Sequence, residues 1–173
     1  MTIPVAPTSS IPDVPRQQIE HLAQTLLDRY QVRQPPVPIE RMVAEPSLGL
    51  WDVDQTDLSA TIGHGLYRYA PRMAQARLLY RAICDSESAR HHGLNVPWPA
   101  SRHEIKYFAR CLLIPEAWVR TLPPSQHYPD ILSEIFQVPS YDIVTRLAEL
   151  GLDIPESSTA QTPDPDEPEP NVR

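Results

Sequence analysis

Apolar side chains recur every three or four positions through much of the chain. Ile19, Leu22 and Leu26 begin one such series, with Glu20 on the opposite face. This spacing predicts an amphipathic helix that ends before the prolines at 35–38. A short helix is predicted over 39–45, and the same period predicts further helices over 73–90, 102–113, 131–136 and 141–150.

The pattern changes to alternation after the second predicted helix. Residues 48–53 place Leu50 on one side and Trp51 and Val53 on the other, and a second alternating stretch covers 58–69. Alternation of this kind is typical of half-buried strands. We therefore expect two or three short antiparallel strands and an α+β fold that is mostly helical.

Proline and charge distinguish the two ends from the rest of the chain. Residues 1–15 contain four of the 21 prolines, and residues 155–173 contain five more among acidic and hydroxyl side chains. Such segments bury too little apolar surface to offset the entropy of ordering them. Disordered tails are therefore predicted over 1–15 and 153–173, with one domain over 16–152. The second tail carries −5 of the formal net charge of −7, so the predicted domain is close to neutral.

The sequence favours a cytoplasmic protein. It contains neither an apolar run of the roughly 18 residues that a membrane span needs nor the basic start and apolar core of a signal peptide. Cys84 and Cys111 are 27 positions apart and form no CxxC pair. We expect both to be small buried thiols in a reducing compartment.

Three short segments occur in an order that is typical of one protein family. They are Pro36-Val37-Pro38-Ile39, the Phe-Ala-x-x-Leu-Leu-x-Pro block at 108–115, and Leu150-Gly151-Leu152. Together they resemble the ImmA/IrrE family of bacterial zinc metallopeptidases, and the resemblance covers residues 16–152. It implies a zincin-like scaffold with a small antiparallel sheet, a helix that carries an HExxH motif, and a C-terminal helical pair.

The zinc site that this resemblance implies is lost from the matching positions. HExxH places two histidines one helical turn apart so that both bind one zinc ion, and its Glu activates the metal-bound water. Family spacing puts the motif over 82–86, where Ala82 and Ser86 replace the histidines and Ile83 replaces the Glu. Of the family's metal ligands only the third is matched, by Glu104. The resemblance therefore implies a catalytically inactive domain that holds no zinc or other cofactor.

Without the zinc site, the resemblance implies a binding function. The cleft that receives a protein substrate in the family would be bordered here by Arg77, Arg81, His103, Glu104 and Tyr107. We therefore expect a protein-binding or regulatory module whose partner is a polypeptide, such as a transcriptional regulator.

A metal-dependent peptidase with a relocated zinc site is a first alternative. His91, His92 and His103 are the histidines that such a site would use, together with Glu104. Glu104 also completes a Ser-x-x-Glu capping-box pattern with Ser101, and that pattern predicts a helix N-terminus there.

A nucleic-acid-binding regulator is a second alternative. Residues 68–110 hold eight basic and three acidic side chains, which is a footprint for nucleic acid or for an acidic partner. The predicted helical pair over 131–150 also has helix-turn-helix dimensions. Its second helix is expected to bury Ile143, Val144 and Leu147. The outer face predicted for that helix contains Tyr141, Asp142, Thr145, Arg146 and Glu149.

Overall fold

The computed structural model describes residues 16–47, 51–52, 68–92, 94 and 100–154. All regular secondary structure within these residues is helical. The elements in chain order are α1 (Arg16–Arg29), α2 (Ile39–Ala44), α3 (Ala70–Asp85), α4 (Glu87–His91), α5 (Arg102–Leu113), α6 (Glu116–Thr121), a 3₁₀ turn (Pro124–Gln126), α7 (Pro129–Phe136) and α8 (Ser140–Glu149).

The predicted α+β fold class is wrong. The described residues form no strand, so this part of the protein is all-α and lacks the antiparallel sheet of a zincin-like scaffold. The two predicted strands fall mostly outside the described residues, and the described ends, 51–52 and 68–69, are not in strands. Trp51 shows why the alternation was misleading. Its side chain is buried beside α2, where its indole N–H donates a hydrogen bond to the carbonyl of Met42 (3.4 Å), so the side chain is buried without a sheet.

The helices predicted from the apolar period are confirmed, with one difference in the third. The helix predicted over 73–90 starts at Ala70 and is interrupted at Ser86, whose backbone is extended. The Ser86 hydroxyl accepts a hydrogen bond from the amide of Ala89 (3.1 Å) and so caps α4. The chain therefore forms two helices, α3 and α4, where the period alone predicts one.

α5 is the central helix of the fold. It packs against α1, α3 and α8, while α2 packs on α3 and α7 on α8. Every residue from 107 to 115 is buried. The ring of Phe108 stacks on the ring of Tyr80 from α3, with 4.6 Å between the centroids. A helix buried on so many sides tolerates polar side chains only where they find partners. The buried polar residues of α5, Glu104 and Arg110, are therefore paired with groups from elsewhere in the chain or at the helix end.

Replacing Phe108 with alanine tests the central position of α5. Phe108 is fully buried, and its loss should lower the free energy of unfolding by about 3–5 kcal/mol because the cavity cannot close. Val144→Ala is the control, because the Val144 side chain is 37% exposed and should change stability by less than about 0.5 kcal/mol. Urea unfolding followed by circular dichroism measures both, and equal effects of the two variants would contradict the assignment of the core.

Candidate functional site

The structure separates the degenerate motif positions from Glu104. Ala82 and Ser86 line a shallow pocket of about 270 Å³ together with Trp51 and Asp52. Ile83 is fully buried in the core, which agrees with its apolar side chain. The helical face that carries positions 82 and 86 therefore does not face α5.

Glu104 caps the N-terminus of α5. One carboxylate oxygen accepts a hydrogen bond from the amide of Ser101 (2.6 Å), and the Ser101 hydroxyl accepts one from the amide of Glu104 (3.2 Å), so the predicted capping box is confirmed. The Glu104 side chain is buried close to Tyr80 and Cys84 of α3. The residues at i and i+4 that face Glu104 are therefore Tyr80 and Cys84, and not the expected 82 and 86.

The residues around Glu104 do not fit a zinc ion. Burial, to which the charge of Glu104 adds, raises the pKa of the Cys84 thiol to about 12. Burial also raises the pKa of the Tyr80 hydroxyl far above its usual range. Zinc is bound by thiolate, imidazole and carboxylate ligands, and here only Cys84 and Glu104 are of those types, whereas a structural site needs four ligands. The described residues contain no group of three or more His, Cys, Asp or Glu side chains that could hold a metal ion.

The three histidines of the relocated zinc site do not meet in one place. His91 and His92 are exposed at the end of α4, and each uses its Nδ1 to donate to a backbone carbonyl one turn earlier (2.8 and 2.9 Å). His103 is exposed on the first turn of α5. These described positions thus supply single imidazoles without a common centre.

The predicted cleft residues lie in different environments. Arg81 and His103 are exposed, and Arg77 is partly buried with its guanidinium 3.5 Å from the hydroxyl of Tyr141. Tyr107 is buried and turned towards α1, where its hydroxyl donates a hydrogen bond to Glu20 (2.5 Å). Among the described residues, Tyr107 thus lies in a different environment from the three basic residues of the predicted cleft.

The orientation predicted for α8 is wrong at three positions. Asp142 and Arg146, which were expected on the outer face, are 1% and 2% exposed. Val144, which was expected in the core, is 37% exposed. The reason is that charged side chains across the helix interface pair with one another, which allows them to occupy buried positions.

An ion-pair network, formed by Arg110, Asp142, Arg146 and Glu149, joins α5 to α8. Arg110 binds the Glu149 carboxylate through Nε (3.1 and 3.2 Å to the two oxygens) and through Nη2. Its Nη1 lies 4.0 Å from Asp142, and Nη1 of Arg146 lies 3.6 Å from Glu149. Nε of Arg146 donates to the carbonyl of Ile114 (3.3 Å). Glu149 is thus shared by two buried guanidinium groups.

Outside this network, α8 contributes aromatic and apolar side chains to a surface whose basic residues come from α3 and α5. Tyr141 is 58% exposed and lies one turn from Val144. Burial raises the pKa of Asp142. Arg77, Arg110 and Lys106 lie near this carboxyl and lower its pKa, but by less than burial raises it. We call Arg77, Lys106, Tyr141 and Val144 the α3–α5–α8 surface.

A second feature is an open cleft of about 460 Å³ between α1, the end of α5, α6 and α8. Arg146 forms part of the wall of this cleft, which we call the Arg146 cleft. Arg146 and Arg16 lie 5.7 and 5.4 Å from the centre of the Tyr107 ring, so Tyr107 is held between two cations. Sequence reasoning missed this site, although Arg146 shares a helical face with Ile143 and Leu147, and that spacing was an available signal.

Comparison with known proteins adds no assignment. No protein-family model, curated protein or solved structure matches the chain. Among the described helices, none is both long enough and apolar enough to cross a membrane.

Removing the Glu149 carboxylate should destabilise the folded protein. Glu149→Ala leaves Arg110 and Arg146 buried without their shared carboxylate, and the free energy of unfolding should fall by about 3 kcal/mol or more. Glu116→Ala is the matched control, because it breaks the half-exposed pair with Arg120 and should cost less than about 1 kcal/mol. Chemical unfolding of both variants measures the difference. Equal losses would show that burial of the network is not what makes Glu149 important.

Asp142 should make stability depend on pH. Burial raises the pKa of this carboxyl above its usual 3.8, so the folded state keeps the proton to a higher pH than the unfolded state. The contribution of Asp142 to the free energy of unfolding should therefore fall as pH rises from 3.8 through the raised pKa, and stay constant above it.

The Asp142→Asn variant has no titratable carboxyl at this position. The unfolding free energy of the wild type minus that of Asp142→Asn should therefore decrease with rising pH, as measured by urea unfolding in a buffer series. Asp153→Asn, at an exposed position, is the control for removal of a charge. A difference that increases with pH would contradict the stated pKa direction.

Proposed function

We propose that this protein is a non-catalytic, cytoplasmic protein-binding module, and that the α3–α5–α8 surface is its docking site. The partner is a polypeptide that places an apolar side chain on Tyr141 and Val144 and acidic side chains on Arg77 and Lys106. The observation that carries the proposal is the exposure of Tyr141, 58%, beside a partly buried Arg.

The composition of the surface supports a protein partner. Aromatic and Arg side chains are enriched at protein interfaces and dominate their binding energy. Single exposed apolar residues are ordinary on any protein. Here Tyr141 and Val144 are neighbours on one helix, Arg77 of α3 lies 3.5 Å from the Tyr141 hydroxyl, and Lys106 of α5 lies near the adjacent Asp142. An apolar centre with charged groups at its rim is the arrangement that specific interfaces share.

The absence of catalysis is proposed from the residues at the motif positions. Ala82, Ile83 and Ser86 offer neither a zinc ligand nor a general base. Ser86 caps a helix, and Glu104 caps another. The side chains that a peptidase would use are therefore absent from these positions or serve the local backbone.

The family resemblance supports the regulatory part of the proposal. Residues 104–115 keep the order of the ImmA/IrrE block, and the resemblance therefore favours a regulatory partner such as a transcriptional regulator. The cytoplasmic location is proposed because both Cys84 and Cys111 are buried free thiols, as expected for a reducing compartment.

Direct DNA reading by the helical pair is less favoured. A recognition helix needs basic side chains that reach phosphates or bases. Arg146 is the only basic residue of α8, and it is 2% exposed. The exposed side chains of this helix are aromatic, apolar or small.

Site-specific photo-crosslinking tests the proposed surface. A benzoyl-phenylalanine placed at position 141 in the full chain should capture a discrete polypeptide in the native cell, because position 141 lies at the centre of the surface. The matched control is the same group at Tyr128, which is 39% exposed on a different helix and should not capture that polypeptide.

Affinity measurements with the captured partner complete the test. Tyr141→Ala and Arg77→Ala should each weaken binding by at least about tenfold, whereas Tyr128→Ala should not. Removing residues 155–173 should strengthen binding if the acidic tail competes for the cations. Equal capture at both positions would refute the docking site. Capture of a nucleic acid at position 141 would also refute it, if that binding depends steeply on salt and is lost with Arg77→Ala.

A further inference from the structure

The Arg146 cleft has the size and lining of a small-molecule site. Its volume of about 460 Å³ lies within the range of ligand pockets, roughly 300–1,000 Å³. Leu27, Pro115, Ala117 and the thiol of Cys111 supply an apolar lining. Burial raises the pKa of Cys111 to about 11, so this thiol is uncharged at neutral pH. A ligand body that fits these walls is apolar.

Arg146 lines the cleft and has a buried guanidinium. Its side chain is 2% exposed, and Nε is occupied by the carbonyl of Ile114. Nη1 has no hydrogen-bond acceptor among the described residues, and the nearest carboxylate, that of Glu149, is 3.6 Å away. A buried charged donor without an acceptor is costly, and a bound anion would relieve that cost.

The neighbouring charges restrict the anion to one negative charge. Within the network, Arg110 and Arg146 share the carboxylate of Glu149, and Asp142 lies 4.0 Å from Arg110. Two carboxylates, Glu20 and Glu116, and two guanidinium groups, Arg120 and Arg146, line the cleft. The lining therefore has no net positive charge to hold a dianion such as a phosphate monoester. A planar carboxylate matches the guanidinium in charge and shape.

We propose that the Arg146 cleft binds a small monocarboxylate with an apolar body, whose carboxylate pairs with the guanidinium of Arg146 and whose body lies against Leu27, Pro115 and Ala117. None of the described residues that line the cleft belongs to the α3–α5–α8 surface. The ligand site therefore does not depend on the proposed docking function, and either can fail alone.

Titration calorimetry of the full chain with octanoate tests the site, with octanamide as the matched neutral probe. Octanoate should bind saturably, and octanamide should bind at least tenfold more weakly, because the amide carries no charge for Arg146. No binding of octanoate up to millimolar concentration, or equal binding of the two probes, would overturn the proposal.

Two variants locate the binding. Arg146→Met should abolish the preference for octanoate over octanamide. Because loss of Arg146 could unfold the protein, Ala117→Trp fills the cleft from an exposed position and leaves the ion-pair network intact; it should reduce octanoate affinity at least tenfold. Ala148→Trp, at an exposed position that does not line the cleft, should leave affinity unchanged. Unchanged affinity in Ala117→Trp would place any octanoate site elsewhere.

A last comparison separates two sources of the same carboxylate. A tetrapeptide with C-terminal leucine and a free carboxylate imitates the end of a polypeptide, and its amidated form is the control. If the ligand is a small acid, octanoate should bind more tightly than either peptide. Tighter binding of the free-carboxylate peptide would replace a small acid with a polypeptide terminus as the ligand.

Discussion

The carboxylate of Glu149 is shared by two buried guanidinium groups that the core could not otherwise contain. Arg110 comes from the central helix and Arg146 from α8, and both are at most 6% exposed. A buried charge is tolerated only when it is paired, so α8 must lie on α5 in the orientation that brings these three groups together. That orientation turns Tyr141 outward and at the same time places Arg146 at the wall of the cleft. The exposure of the α3–α5–α8 surface and the wall of the Arg146 cleft are therefore two consequences of one ion-pair network.

The contact between α3 and α5 is a packing arrangement. Tyr80 and Cys84 are one helical turn apart and lie near Glu104, a spacing at which two histidines and a carboxylate could bind one ion. Here the two side chains are neutral because burial raises their pKa values, and the Glu104 carboxylate completes a capping box. Tyr80 stacks on Phe108 and Cys84 is fully buried, so both stabilise the core.

Much of the helical structure could be predicted from the sequence. The series from Ile19 gave α1, and Ser101 with Glu104 gave the start of α5, because both signals arise within a few turns of one helix. The burial of both cysteines was also predicted correctly. The α+β prediction failed because alternation does not show what covers an apolar side chain: the buried Trp51 contacts α2 and no strand is present among the described residues.

Local signals in the chain thus determined where the helices form, how α5 begins, and that positions 82–86 carry no zinc ligands of the HExxH type. Only the tertiary structure decided that Arg146 and Asp142 point inward, that Val144 points outward, and that Glu104 faces Tyr80 and Cys84. The physical reason is that a charged residue is read from sequence as exposed, whereas its burial depends on a partner from another helix. Arg110 and Glu149 are 39 positions apart, and no periodicity within either helix shows that they meet.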